Sequence, residues 1–203
     1  MEDVDVGNVS EARVHELLEG MTRAHAEAVG SIVSQAATVL AVARLIVQAA
    51  GTGCKVMTCG NGGSAADAQH LAAELVGRFE GTRMSLPCIA LCADPAVMTS
   101  LANDYGYENV FARQVTALGR PGDLLIGFST SGTSANVLSA ACEARRLGMK
   151  VVGFTGSGAE AGSLGELADV IVRCASGETP RIQEAHGFAV HAVCELVRAL
   201  SRA

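Results

Sequence analysis

The feature that most constrains the fold is an alternation of short β-rich runs with helical segments from residue 54 onward. Such an alternation predicts strands joined by right-handed βαβ crossovers. The chain is therefore expected to form an α/β fold with a mostly parallel sheet. The predicted strands are 54–59, Leu86–Cys92, Leu124–Ser129, Lys150–Thr155 and Val170–Cys174.

Helical periodicity is also found on both sides of this region. Apolar residues recur at helical spacing over 10–50, which predicts two helices before the first strand. A last helix is expected from about Arg181 to Leu200. Its buried stripe is predicted to contain Ala185, Ala189, Ala192, Val193, Leu196 and Leu200. We expect one domain over 1–203, with the N-terminal helices in 1–50 and the sheet core and C-terminal helix in 51–203.

Composition argues against two classes of partner. The formal net charge is −6 and no basic run is present, so the electrostatic footprint of a nucleic-acid-binding protein is absent. No apolar stretch approaches the ~20 residues that span a bilayer, so no membrane partner is expected. The first residues also lack the basic and apolar segments of a secretory signal. We therefore expect a cytoplasmic protein.

The stretch Cys59–Glu74, CGNGGSAADAQHLAAE, joins a strand to a helix through a glycine-rich turn that can hold an anion. Gly60 to Ala65 formally matches G-x-G-x-x-A, the dinucleotide fingerprint, and Asp94 could serve as its ribose-binding acid. Two helices before this strand, and a second phosphate loop later in the chain, argue against that interpretation. A P-loop is excluded because no Lys-Ser or Lys-Thr closes the turn.

A second anion-binding loop, 129–136 with the sequence STSGTSAN, follows the third predicted strand. Hydroxyl groups and free backbone N–H groups at a helix start suit a phosphate group without any cofactor. The alternative is an ordinary helix cap at Ser134, since Ser and Thr favour N-cap positions. We favour phosphate binding because the loop carries more hydroxyls than a cap needs.

Two pairs of side chains on predicted helices can move protons or bind a metal ion. His70 and Glu74 are four residues apart and share one helix face. Gln183 and His191 are about 80° apart on the last helix, although His186 is the nearer neighbour of Gln183 by spacing. A plain surface pair is the alternative for His70 and Glu74 on spacing alone.

Three further polar residues are weaker candidates. Asn103 and Asp104 follow a short helix after the second strand, and a carboxylate there can bind sugar hydroxyls. Arg78 lies one turn after Glu74 and can clamp a phosphate group. For each of them the alternative is an ordinary surface residue.

Four motifs together resemble one protein family. They are GNGGSAADAQHLAAEL, LANDYGYENVFARQV, STSGTSANV and RIQEAHGFAVH. In order and spacing they resemble the phosphoheptose isomerases of the sugar isomerase (SIS) superfamily, and the likeness covers nearly all of the chain from Gly51 onward. The resemblance implies a doubly wound SIS fold with five parallel strands flanked by helices, and a homotetramer with sites between subunits. It also implies conversion of sedoheptulose 7-phosphate to D-glycero-D-manno-heptose 7-phosphate, the first step towards nucleotide-activated heptose.

The resemblance assigns roles to the residues at the matching motif positions. Glu74 and His191 would be the acid–base pair, and one Zn²⁺ per subunit would be held by His70, Glu74, Gln183 and His191. The phosphate would be held by Ser129, Thr130, Ser131 and Ser134. The rest of the substrate would contact Asn61, Gly62, Gly63, Ser64, Glu74, Arg78, Asn103, Asp104 and Gln183. Whether Glu74 acts as base, ligand or both stays open, because a metal-bound carboxylate is a weaker base.

The chain departs from the family pattern at two places. Ala65 and Ala66 stand where several relatives carry His-Cys, and Thr179-Pro180 precedes Arg181 where some carry an acidic residue. These departures concern substrate contacts rather than the acid–base pair. Two other functions stay open on the residues alone: a non-catalytic SIS-type module that senses a sugar phosphate or binds a partner protein, and a nicotinamide-dependent enzyme supported only by G-x-G-x-x-A.

Overall fold

A computed structural model describes residues 9–77, 85–158 and 164–201. Arg78 lies outside the described residues. Strands and helices alternate after two initial helices, as predicted. In chain order the elements are α1 (Glu11–Val33), α2 (Ala36–Gly51), β1 (Val56–Gly60), α3 (Gly63–Val76), β2 (Cys88–Ala90), α4 (Pro95–Tyr105), a 3₁₀ turn (Tyr107–Asn109), α5 (Val110–Leu118), β3 (Leu124–Phe128), α6 (Ala135–Arg146), β4 (Lys150–Thr155), α7 (Leu164–Leu167), β5 (Val170–Arg173) and α8 (Thr179–Leu200).

The five strands form one parallel sheet in the order β2-β1-β3-β4-β5. This confirms the predicted α/β class and the five-stranded parallel sheet. Strand β2 is shorter than the predicted 86–92, since only Cys88–Ala90 pair with β1, its one neighbour in the sheet. The strand order reverses between β1 and β3, and ligands in such sheets bind beyond the carboxyl ends of the strands at this switch point.

Residues of the central strands β1, β3 and β4 alternate between two hydrophobic layers, because successive side chains in a strand point to opposite faces. Leu124, Ile126 and Phe128 of β3 pack in a layer formed with α1, α2, α3 and α8. Leu125, between them, packs in the opposite layer with Phe111 of α5 and residues of α4, α6 and α7. Helices therefore cover both faces of the sheet, which explains why its strands are almost uniformly apolar.

The buried side of α8 differs from the predicted stripe. Ala185, Ala189 and Val193 are buried as predicted, but Ala192, Leu196 and Leu200 are only partly buried. The residues buried in addition are Arg181, Ile182, His186, Val190, Cys194 and Val197. The stripe is rotated because α8 packs against the sheet and also against α1, α2 and α3, and such neighbours cannot be read from its own periodicity.

The helices were compared with the length and composition that a membrane span requires. Among the described residues no single helix is both long and apolar enough to cross a bilayer. Helices α1 and α2 meet the length and composition requirement only when taken together, and they are bent by 66° where they join.

Candidate active site

The glycine turn and the serine loop lie side by side at the carboxyl edge of the sheet. Gly60, the last residue of β1, pairs in register with Phe128, the last residue of β3. The chain leaves β1 into the start of α3 at Gly63 and leaves β3 into the loop 129–134 before α6. Because these strands are adjacent, two helix N-termini with free N–H groups converge at the switch point.

Glycine is required in the first turn by close backbone contacts. A Cβ atom on Gly60 would lie 2.4 Å from the carbonyl oxygen of Ser64, and Gly62 has a φ of +55°. A Cβ atom on Gly63 would lie 2.4 Å from Nε2 of Gln183. The turn therefore lets α3 begin directly beside β1 and lets the Gln183 side chain of α8 lie against the helix start.

The serine loop gathers its hydroxyl groups around Ser129. The Oγ atoms of Ser129 and Ser134 are 2.9 Å apart, and those of Ser129 and Ser131 are 3.5 Å apart. The hydroxyl of Ser131 accepts hydrogen bonds from N–H and Oγ1 of Thr133 at 3.2 and 3.0 Å. Ser134 occupies the N-cap position of α6 but its side chain makes no capping bond. This geometry favours the anion-binding interpretation over simple capping.

Helices α3 and α8 bring three ionisable side chains together, as the predicted site requires. Nε2 of His70 and Nε2 of His191 are 3.1 Å apart, and Nε2 of His70 is 3.5 Å from Oε1 of Glu74. All three ligand atoms lie within 4.8 Å of one another. Two of the side chains are half-buried, whereas His191 is exposed. The pairing of His70 with Glu74 is therefore part of a cluster rather than an isolated surface pair.

This donor set fits a divalent metal ion. A tetrahedral zinc ion with Zn–N bonds of 2.0–2.1 Å separates two ligating nitrogens by about 3.3 Å. The 3.1 Å between the two Nε2 atoms is close to that spacing. Without a metal ion, one of the two Nε2 atoms must carry a proton, so that it donates a hydrogen bond to the other. Two imidazoles and a carboxylate are ligands that zinc accepts.

Gln183 lies nearer the N-terminus of α8 than His191 does. It is eight residues before His191 on the same helix, which corresponds to about 12 Å of axial rise. Its amide packs against Gly63, which is seven residues or about 10 Å before His70 on α3. A bond from Gln183 to the same ion therefore stays a prediction, while its position beside the glycine turn suits the predicted substrate contact.

Asp67 is a residue near the site that sequence analysis missed. It lies on α3 between Gly63 and His70, close to the helix face that carries His70 and Glu74. Burial raises the pKa of its carboxyl to about 6, and its Oδ2 atom has no hydrogen-bond partner among the described residues. The sequence feature that could have identified Asp67 is its spacing, because it lies three residues before His70 on the same helix.

The residues of α4 have mixed roles. Asp94 accepts hydrogen bonds from the N–H groups of Ala96 and Val97 at 2.9 and 3.1 Å, so it caps α4. This assignment removes the acid that the dinucleotide interpretation needs. Asn103 and Asp104 are exposed near the end of α4, and Nδ2 of Asn103 donates to Oδ1 of Asp104 at 2.8 Å. Their contact with substrate stays a prediction.

Comparison with protein families and solved structures places this chain in a known family. Residues 22–156, more than half of the chain, match the SIS domain. The phosphoheptose isomerase of Roseiflexus sp. (strain RS-1) is 53% identical over 167 residues, which are 82% of this chain and 84% of that protein.

Two solved structures support the same assignment. The phosphoheptose isomerase of Neisseria gonorrhoeae is 40% identical with a TM-score of 0.81, covering 93% of this chain and 98% of that chain. The phosphoheptose isomerase of Francisella tularensis is 36% identical with a TM-score of 0.78, covering 92% and 96% of the two chains. The chain therefore belongs to the phosphoheptose isomerases of the SIS-domain family.

Proposed function

We infer that the protein is an aldose–ketose isomerase that converts sedoheptulose 7-phosphate to D-glycero-D-manno-heptose 7-phosphate. The observation that carries this inference is the cluster of His70, Glu74 and His191, with ligand atoms within 4.8 Å of one another, on helices that border the glycine turn. The site thus combines groups that hold a phosphate with groups that move protons.

The isomerisation requires a proton to leave C1 and another to be delivered to C2. Glu74 and His191 supply a carboxylate and an imidazole, the side chains best suited to general base and general acid roles near neutral pH. Both lie in one cluster beside His70, so each can reach the same two adjacent carbons of a bound sugar. We propose that one of them removes the proton from C1 and the other protonates C2 of the enediolate, while the hydroxyl proton moves from O1 to O2.

A metal ion fits this scheme at the same residues. We propose that His70, Glu74 and His191 hold one Zn²⁺ ion per subunit, with Gln183 as a predicted fourth ligand. When bound, zinc would stabilise the negative charge on the enediolate oxygen. Coordination would lower the basicity of the Glu74 carboxylate, so Glu74 would be a weaker base with zinc bound than without it.

The phosphate group is proposed to bind the serine loop, where hydroxyls and the N-terminus of α6 meet. The phosphate-binding residues would be Ser129, Thr130, Ser131 and Ser134. The sugar chain would extend towards the glycine turn and α4. The residues proposed to contact it are Asn61, Gly62, Gly63, Ser64, Glu74, Arg78, Asn103, Asp104 and Gln183.

A homotetramer, a cytoplasmic location and a role in the first step of nucleotide-heptose synthesis for lipopolysaccharide core are further proposals. They rest on the family resemblance. The homotetramer has additional support from α1, whose first half exposes a stripe of large apolar side chains. Such a stripe is typical of a surface that another chain covers.

The acid–base proposal is tested with Glu74→Gln and His191→Gln. Each variant keeps a similar shape but loses its proton-transfer group, so kcat should fall at least about 100-fold. Turnover of sedoheptulose 7-phosphate should be measured by product formation, and binding by calorimetry. Glu166→Gln, a change at an exposed glutamate of α7, is the control and should keep wild-type turnover.

Wild-type rates in both variants would contradict the proposal. Wild-type protein that binds the sugar phosphate and never converts it would favour the non-catalytic sensing module instead. The same assay with a chelator, followed by added zinc, tests the metal: we expect activity to fall on chelation and to return with zinc.

A further inference from the structure

The side chain of Asn61, in the glycine turn, is held by two residues from distant parts of the chain. Nδ2 of Asn61 donates to Oδ1 of Asn136, and Nδ2 of Asn136 donates to Oδ1 of Asn61, both at 2.8 Å. The hydroxyl of Tyr107 donates to the same Oδ1 of Asn61 at 2.9 Å. These three side chains, which we name the amide hub, form a closed hydrogen-bonded group.

The hub uses most of the hydrogen-bonding capacity of Asn61. Its carbonyl oxygen accepts two hydrogen bonds, which fills both lone pairs, and its amide nitrogen uses one of two donors. The Asn61 side chain is therefore engaged by the protein itself. Contact between this turn and a ligand falls mainly to the backbone N–H groups that follow.

Each member of the hub belongs to a different predicted binding segment. Asn61 belongs to the glycine turn, and Asn136 lies two residues after Ser134 in the first turn of α6. Tyr107 lies three residues after Asp104, beyond the end of α4. Asn136 is 3% exposed, so its amide is fixed in the protein interior, whereas Tyr107 is 53% exposed and lies at the surface.

We propose that Asn136 and Tyr107 are positioning residues, and that the amide hub holds the glycine turn, the serine loop and the Asn103–Asp104 segment in one arrangement around the substrate. This inference rests on the proposed function. The phosphate and the sugar chain are bound by different segments, so their relative placement determines how well one substrate molecule meets all of them. Loosening the hub should weaken substrate binding more than it slows the proton transfers at Glu74 and His191.

The test uses Tyr107→Phe, which removes one hydroxyl and keeps the ring. We expect KM for sedoheptulose 7-phosphate to rise about three- to tenfold, the effect of one lost neutral hydrogen bond, with kcat within twofold of wild type. Tyr105→Phe is the matched control, because its ring stacks against Arg113 at the nearby surface and lies outside the hub. This control should keep the wild-type KM.

A double-mutant cycle tests whether Tyr107 acts through Asn61. In an Asn61→Ala background, Tyr107→Phe should have no further effect on KM, because the shared acceptor is gone. Asn136→Ala should raise KM at least as much as Tyr107→Phe. Fully additive effects of Tyr107→Phe and Asn61→Ala would overturn the proposal, as would a lowered melting temperature with unchanged KM.

Amide hydrogen exchange without substrate separates this inference from the proposed function. Tyr107→Phe and Asn136→Ala should speed exchange in 61–66 and 131–136, and Tyr105→Phe should not. Unchanged exchange in both hub variants would overturn the proposal that the hub holds these segments, whatever substrate the enzyme converts. If wild-type protein fails to convert sedoheptulose 7-phosphate, the proposed function is wrong. The exchange result alone then decides whether the hub holds these segments in place.

Discussion

At the scale of single residues, the buried His186 contributes to the stability of the protein. It lies on α8, the helix that also carries His191 of the candidate site. The imidazole of His186 is fully buried against Phe128 and Phe154, and its Nε2 atom lies 3.3 Å from the carbonyl oxygen of Thr155. Burial lowers its pKa to about 4, although the bond to Thr155 opposes this. It therefore ties α8 to the end of β4 as a neutral group.

We predict that His186 makes the protein less stable in acid. His186 binds a proton near pH 6.5 in the unfolded chain but only near pH 4 in the folded chain. The stabilisation from the neutral, buried imidazole is therefore fully present above pH 6.5 and is lost as the pH falls to 4. The loss is about 3 kcal/mol in the free energy of unfolding. Urea unfolding between pH 7.5 and 4 measures it as the difference between wild type and His186→Leu.

His186→Leu should be less stable at neutral pH, because Thr155 loses a donor, but should lack this acid-dependent step. His15→Gln changes an exposed histidine and should keep the wild-type pH dependence. Parallel pH profiles for wild type and His186→Leu would contradict the prediction.

Sequence predicted the placement of individual side chains well where a motif puts several groups on one element. His70 and Glu74 are one turn apart, so helical geometry alone places them on one face. The contacts of the hub escaped prediction, because Tyr107 and Asn136 meet Asn61 across 46 and 75 residues of chain. Such contacts depend on strand order, and one sequence without relatives does not give strand order.

At the scale of elements, one carboxylate joins the amino ends of two central strands. Asp123 lies just before β3, is 2% exposed, and accepts hydrogen bonds from the N–H groups of Lys55 and Arg120, both at 2.9 Å. The ammonium group of Lys55 also pairs with it. This edge of the sheet is opposite to the candidate active site, so its contribution is to the fold.

We predict that Asp123→Ala destabilises the protein by about 3 kcal/mol, because two backbone donors and a largely buried ammonium group lose their partner. Asp169→Ala is the matched control: its side chain pairs with Lys150 and with the N–H of Val151 at the same edge but is 26% exposed. We expect about 1 kcal/mol there. Denaturant unfolding gives both values, and equal losses would contradict the argument from burial.

The helices and strands were predicted from alternation and apolar spacing. The two differences between prediction and structure, the length of β2 and the buried side of α8, have physical causes. Strand β2 has only three residues because the pairing with β1 is limited to Cys88–Ala90, which the apolar run 86–92 does not reveal. Helix α8 buries His186 and Val197 rather than Leu196 because it packs against several neighbours at once. Periodicity predicts that a helix has a buried side, while the neighbouring elements decide where that side lies.

At the scale of the whole molecule, α1 extends its first half away from the core. Its buried residues are Ala28 and Ile32, and Arg181 binds the carbonyl oxygen of Met21 at 2.9 Å. Before that point the helix exposes a stripe of apolar side chains, with Leu17 56% exposed. The other members of the stripe are Val14, Leu18 and Met21. The predicted occupant is a second copy of this chain.

We predict that replacing both Leu17 and Leu18 by Asp reduces the molecular mass in solution, because charged groups in a buried apolar interface are strongly unfavourable. The fold should persist, since neither side chain belongs to the core. Light scattering after size exclusion measures the mass, and circular dichroism checks the helix content. Leu118→Asp changes a comparably exposed side chain on α5 and should leave the mass unchanged.

The enzymatic activity of the same α1 variant tests whether the active site lies between subunits. If the active sites lie between subunits, as the resemblance implies, kcat/KM should fall together with the mass in the α1 variant and recover at protein concentrations that restore assembly. A variant that is smaller but fully active would show that one chain holds a complete site. A wild-type monomer, or an α1 variant of unchanged mass, would contradict the assembly proposal and leave the apolar stripe to another partner.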